Sequence, residues 1–174
     1  MPRTSPLALL ALLGLVACTD YSVTRSELSA EGESAEVTLA PGTSVEIRLR
    51  LVADAKAMAA KPTNWVDITV FALKEGDLTP LVSVTAGAES AQVAVMALEY
   101  IDVTVQDPLG ACIDPDKDPG TVEVTLEDDG GCTAVVPVDL AVIDGTATLQ
   151  LTAHYELSFG SQNAPGTMAM TVLE

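Results

Sequence analysis

Apolar and polar residues alternate along most of this chain. The clearest case is Ser44 to Leu51, where Val45, Ile47, Leu49 and Leu51 fall on one face. Glu46, Arg48 and Arg50 fall on the other. A period of two with one charged face predicts a strand buried on one side. Val37 and Leu39 alternate in the same way just upstream, and Ala40-Pro41-Gly42-Thr43 reads as a turn, so the two runs are expected to form a hairpin with a four-residue connection. Trp65 to Leu73 is apolar on nearly both faces and suits an inner strand. Further strands are expected at Leu81–Thr85, Gln92–Ala97, Tyr100–Gln106, Val122–Leu126, Cys132–Val142, Ala147–Phe159 and Met168–Leu173. Gly-, Pro- and Asp-rich breaks separate most of them, including Asp144-Gly145 and Ala164-Pro165-Gly166. Ala53 to Lys61 is the only helix-like stretch, and Pro62 closes it.

Roughly ten short strands with turns about every ten residues predict an all-β fold. The expected architecture is an antiparallel sandwich, immunoglobulin-like or jelly-roll. No long helix alternates with the strands, which argues against a parallel α/β sheet. Ile101–Asp107 and Val122–Asp128 echo one another, but the echo occurs once and is not read as a repeat.

The N-terminus follows another pattern. Arg3 is the only charge before Asp20, and an unbroken apolar run extends from Leu7 to Ala17. The run is shorter than the roughly 20 residues that span a bilayer core. A basic start, a short apolar run and small residues at its end describe a secretory signal. The run ends Leu15-Val16-Ala17-Cys18, which resembles the lipobox of bacterial lipoproteins. That resemblance implies cleavage before Cys18, with the Cys18 thiol carrying a diacylglyceryl group. It covers these residues alone and implies nothing about the rest. Thr19, not Asp, follows the cysteine, and for this family that favours the outer membrane over the inner. Residues 1–17 are then the signal peptide. Residues 18–35, rich in Ser, Thr, Glu and Ala, read as a lipidated tether, with a strand near Tyr21–Thr24 as the alternative. Residues 36–174 form the β domain.

Composition narrows the function classes. The 174-residue chain carries a net charge of −17, so it lacks the cations that neutralise nucleic-acid phosphates. Its only route to a membrane is the lipid, because anionic headgroups would repel it. Aromatics make up 3% of the residues, which predicts an aliphatic core and little material for gripping sugars. With Cys18 committed to lipid, Cys112 and Cys132 remain, and in an exported chain they are expected to pair.

Catalytic patterns are scarce. His154, the single histidine, points away from the apolar face of its strand, beside Thr152 and Glu156, and reads as a surface residue. No recognisable acid orients it as a triad would require. No GxSxG, metalloprotease or P-loop pattern occurs. The segment from Asp107 to Asp129 holds eight carboxylates and one cation, Lys117. Within it Asp114, Asp116 and Asp118 alternate as in calcium-binding loops. Pro119 stands where such a loop needs glycine, and Thr125 occupies the twelfth position in place of glutamate, which excludes an EF-hand. The reading kept is a Pro- and Asp-rich surface turn, with an irregular calcium loop as the alternative and no other cofactor implied. The function expected is a non-enzymatic, lipid-anchored envelope module with a structural, adhesive or assembly role and an envelope protein as partner. The alternative is a module for a small ligand, a glycan or calcium.

Overall fold

A computed structural model describes residues 27–34, 36–74, 80–94, 100–160 and 163–173. The expected signal peptide, Cys18 and the Tyr21–Thr24 alternative lie outside the described residues. Eleven strands and two short helices are found among them: β1 (Glu27–Glu33), β2 (Val37–Leu39), β3 (Thr43–Ala53), α1 (Ala55–Ala59), β4 (Thr63–Lys74), β5 (Leu81–Ala86), β6 (Glu89–Ala94), β7 (Tyr100–Gln106), α2 (Gly110–Ile113), β8 (Glu123–Leu126), β9 (Cys132–Asp144), β10 (Ala147–Ser158) and β11 (Met168–Leu173). No helix of the described residues is long and apolar enough to cross a membrane.

The strands form two antiparallel sheets. Sheet A has the order β1-β10-β4-β7, with β2 continuing the β1 edge against β10. Sheet B has the order β11-β3-β9-β5-β6, with β8 alongside the start of β9. The pairings are nested along the chain: β5 with β6, β4 with β7, β3 with β9, and β2 with β10. One long hairpin rolled so that alternate strand pairs fall in opposite sheets is a jelly roll. Of the two arrangements anticipated, the immunoglobulin-like order is not the one found.

The alternation explains the core. Ile47, Leu49 and Leu51 of β3 and Val136, Val138 and Leu140 of β9 face inward from sheet B. Val66, Ile68 and Val70 of β4 and Leu149, Leu151, Tyr155 and Leu157 of β10 face them from sheet A. Every one is fully or almost fully buried. The Tyr155 hydroxyl is buried without a hydrogen-bond partner, and that burial pushes its pKa far above the usual phenol value.

Two expectations are corrected. First, β2 and β3 do not pair. The Gly42 N–H donates to the Val142 carbonyl at 2.7 Å, so the turn is bound to β9 and carries the chain from sheet A to sheet B. Turn residues signal a reversal, and they do not say which sheet receives the next strand. Second, the segment read as tether is partly folded, since Glu27–Glu33 is an edge strand on β10. Its inward positions are Leu28, Ala30 and Gly32, the last two too small to register as an apolar face. The smallness has a cause at Gly32, where a Cβ would come within 2.8 Å of Val172 on β11. This close approach shuts one corner of the sandwich.

Asp54 closes the β3–α1 corner. Its Oδ1 accepts from the Ala57 N–H at 2.9 Å, capping α1, while Oδ2 accepts from the N–H and hydroxyl of Thr167 at 2.8 and 2.9 Å. Partial burial alone would raise its pKa, but the hydrogen bonds from Ala57 and Thr167 outweigh that and hold the carboxyl below its ordinary value. A depressed folded pKa stabilises the fold above the unfolded value of 3.8, and this contribution disappears as pH falls through the lowered one. Asp54→Ala should cost about 1–2 kcal/mol in urea melts at neutral pH. The gap from wild type should narrow in acid, below pH 3.8. A gap of constant size across that range would contradict the assignment.

Candidate functional site

The residues expected to carry chemistry are distributed over three places. Cys112 of α2 and Cys132 at the start of β9 are joined, with Cα atoms 6.2 Å apart. The bond pins both ends of the acidic segment to sheet B.

Within that segment Asp114, Asp116 and Asp118 do not converge. Asp114 Oδ1 accepts from the Asp116 N–H at 3.2 Å, and Asp118 Oδ1 accepts from the Gly120 N–H at 2.9 Å. These are side chains folding their own turns. Among the described residues no three His, Cys, Asp or Glu side chains are placed to hold a metal ion. The calcium alternative is therefore not supported by the arrangement of the loop. Lys117, the lone cation, pairs with Asp107. Asp107 also accepts from Asn64 Nδ2 at 2.5 Å, and Asn64 Oδ1 accepts from the Leu109 N–H at 2.9 Å. Asn64 is almost completely buried, so this chain of polar contacts ties the loop after β7 to β4.

The third place is the outward face of sheet A, and here the register assembles a surface. Across β1, β10, β4 and β7, one row reads Glu31, His154, Asp67, Thr104. The row beside it reads Glu33, Thr152, Thr69, Asp102. Beyond that row lie Gln150, Phe71 and Tyr100, and on the opposite side lie Ser29, Glu156, Trp65 and Gln106. The period of two along each strand puts all of these on one face.

Short cross-strand hydrogen bonds order this face. The Thr104 hydroxyl donates to Asp67 Oδ1 at 2.6 Å and the Thr69 hydroxyl to Asp102 Oδ1 at 2.7 Å. Gln150 Nε2 donates to Glu33 Oε1. His154 stands between two carboxylates, with Nδ1 3.8 Å from Glu31 Oε1 and Nε2 3.5 Å from Glu156 Oε2. It faces outward as the alternation predicts, and its strand neighbours are acidic. The four rows contain five carboxylates and neither Lys nor Arg. A depression of about 500 Å³ lies over the two central rows. A second, of about 240 Å³, lies at the Trp65 end, with Gln106 in its wall. At the other end the rings of Phe71 and Tyr100 are tilted against each other with centroids 6.2 Å apart. Both are exposed, which is uncommon for side chains of that size.

Three of the chain's six aromatic side chains therefore sit on one face. The signal was present in β4, whose odd positions run Trp65, Asp67, Thr69, Phe71. Reading that strand as apolar on nearly both faces hid the pattern, because large aromatics count as core by hydropathy alone. No protein-family model, curated protein or solved structure matches this chain, so its chemistry is read from these residues and their geometry.

Proposed function

We propose that this chain is a lipid-anchored, non-enzymatic module of the cell envelope, held at the outer membrane through Cys18, that presents the outward face of sheet A to another envelope component. Its role is structural, adhesive or in assembly. The observation that carries the reading is the relation between the anchor end and the exposed aromatics. The chain enters the fold at Glu27, level with Ser158 of β10. Phe71 lies level with Gln150, eight residues further along β10, or about 27 Å away. Phe71 and Tyr100 thus sit toward the end of sheet A opposite the one at which Glu27 enters. Eight residues lie between Cys18 and Glu27, and the span reaches at most about 30 Å, enough to hold the domain clear of headgroups that its charge would repel.

Photo-crosslinking in living cells tests this reading. A photoreactive residue at Tyr100 should give discrete adducts with envelope components, whereas one at Thr85, on the outward face of sheet B, should give none. Equal adducts at both positions, or none at Tyr100, would overturn it.

A further inference from the structure

We infer that the outward face of sheet A binds a glycan, neutral or amino-bearing, laid along β4 between Trp65 and the Phe71–Tyr100 pair. The inference rests on the reading above that this face is the one displayed.

The chemistry of the face selects the ligand. Carboxylates only accept hydrogen bonds, and four of the five on this face lie in the two central rows. The hydroxyls of Thr69 and Thr104 have already given their protons to Asp102 and Asp67. Acceptors are therefore in surplus, and an incoming ligand must bring donors. Sugar hydroxyls do so, and a bond to an ionised acceptor is stronger than a neutral one. Amino groups do so as well. Uronic, sulfated or phosphorylated sugars are repelled, since no Lys or Arg lies in these rows to receive them. Charge thus excludes one large class of glycans.

The aromatics supply the second requirement. A pyranose offers an apolar C–H face to a ring and a polar rim to its surroundings. The half-buried Trp65 and the exposed Phe71–Tyr100 pair stand at the two ends of the polar floor. Phe71 lies six positions beyond Trp65 along β4, about 20 Å. That span fits an oligosaccharide and exceeds a single sugar. The two depressions lie in sequence along the same strand, Asp67 and Thr69 lining one and Trp65 the other. The fixed strand register and the cross-strand hydrogen bonds hold the floor in place before any ligand arrives, which reduces the ordering cost of binding.

Trp65 is the only tryptophan in the chain, so its emission reports on this face directly. Full-length lipidated protein in detergent should be titrated with hexamers of N-acetylglucosamine, glucosamine and galacturonate, and with a decalysine peptide. Saturable changes in Trp65 emission are expected with the first or second hexamer and none with galacturonate. Tyr100→Ala and Asp67→Asn, both on the solvent side, should each weaken that binding about tenfold. No saturation with either sugar, affinities unchanged in both variants, or a response to decalysine alone would overturn the inference. Failure of the anchor reading shows separately: fatty-acid labelling then persists in a Cys18→Ser protein, and this titration is unchanged.

Discussion

A protein in which Cys112 and Cys132 are both replaced by Ala should be less stable by about 3 kcal/mol, the chain-entropy value for a loop of this length. The bond closes a loop of 20 residues between α2 and β9. That loop holds the acidic turn and β8, which pairs with β9 from Glu123 to Leu126 and ends opposite Cys132 itself. Without the bond the unfolded ensemble gains freedom, and the native loop relies on the Asn64–Asp107–Lys117 contacts and the short β8 ladder. Cys132 is fully buried, so its replacement adds a small packing loss to the entropic one. For a domain of this size the melting temperature should fall by roughly 10 °C. The carboxylates of the freed segment repel one another, so added salt should recover part of the loss. Identical melting of the oxidised and fully reduced protein would show that the bond contributes nothing.

The second large effect concerns the address. Cys18→Ser should abolish labelling by radioactive fatty acid and leave an unprocessed or soluble form. One acyl chain binds reversibly and two or three bind stably, so loss of the thiol removes attachment rather than weakening it. The folded domain offers no substitute, since a chain of charge −17 is repelled by anionic lipid. Undiminished labelling of the Cys18→Ser protein would refute the anchor.

How far each feature could be read in advance depends on how local its cause is. β3 was legible because Val45 to Leu51 alternates apolar and charged residues without interruption. The disulfide was legible because expected export, with Cys18 set aside for lipid, leaves one pairing. β1 was not, because its inward positions include Ala30 and Gly32, and Gly32 admits β11 across a corner, a constraint set by Val172, 140 positions away. The Ala40–Thr43 turn was legible as a turn and misleading as a hairpin, since its destination is decided by the roll of the whole chain. The same limit applied to sheet A. Glu31, Asp67, Thr104 and His154 lie far apart in sequence, and only the register of four strands makes them neighbours. Alternation shows which way each side chain points, not which strand lies beside it.

The most direct test of the central claim is the intact mass of the mature protein extracted from membranes of the native host. The account predicts a chain beginning at Cys18, heavier than its amino-acid sequence by a diacylglyceryl group and at most one further acyl chain. A chain that retains Met1, or one that begins beyond Cys18 and carries no lipid, would contradict it.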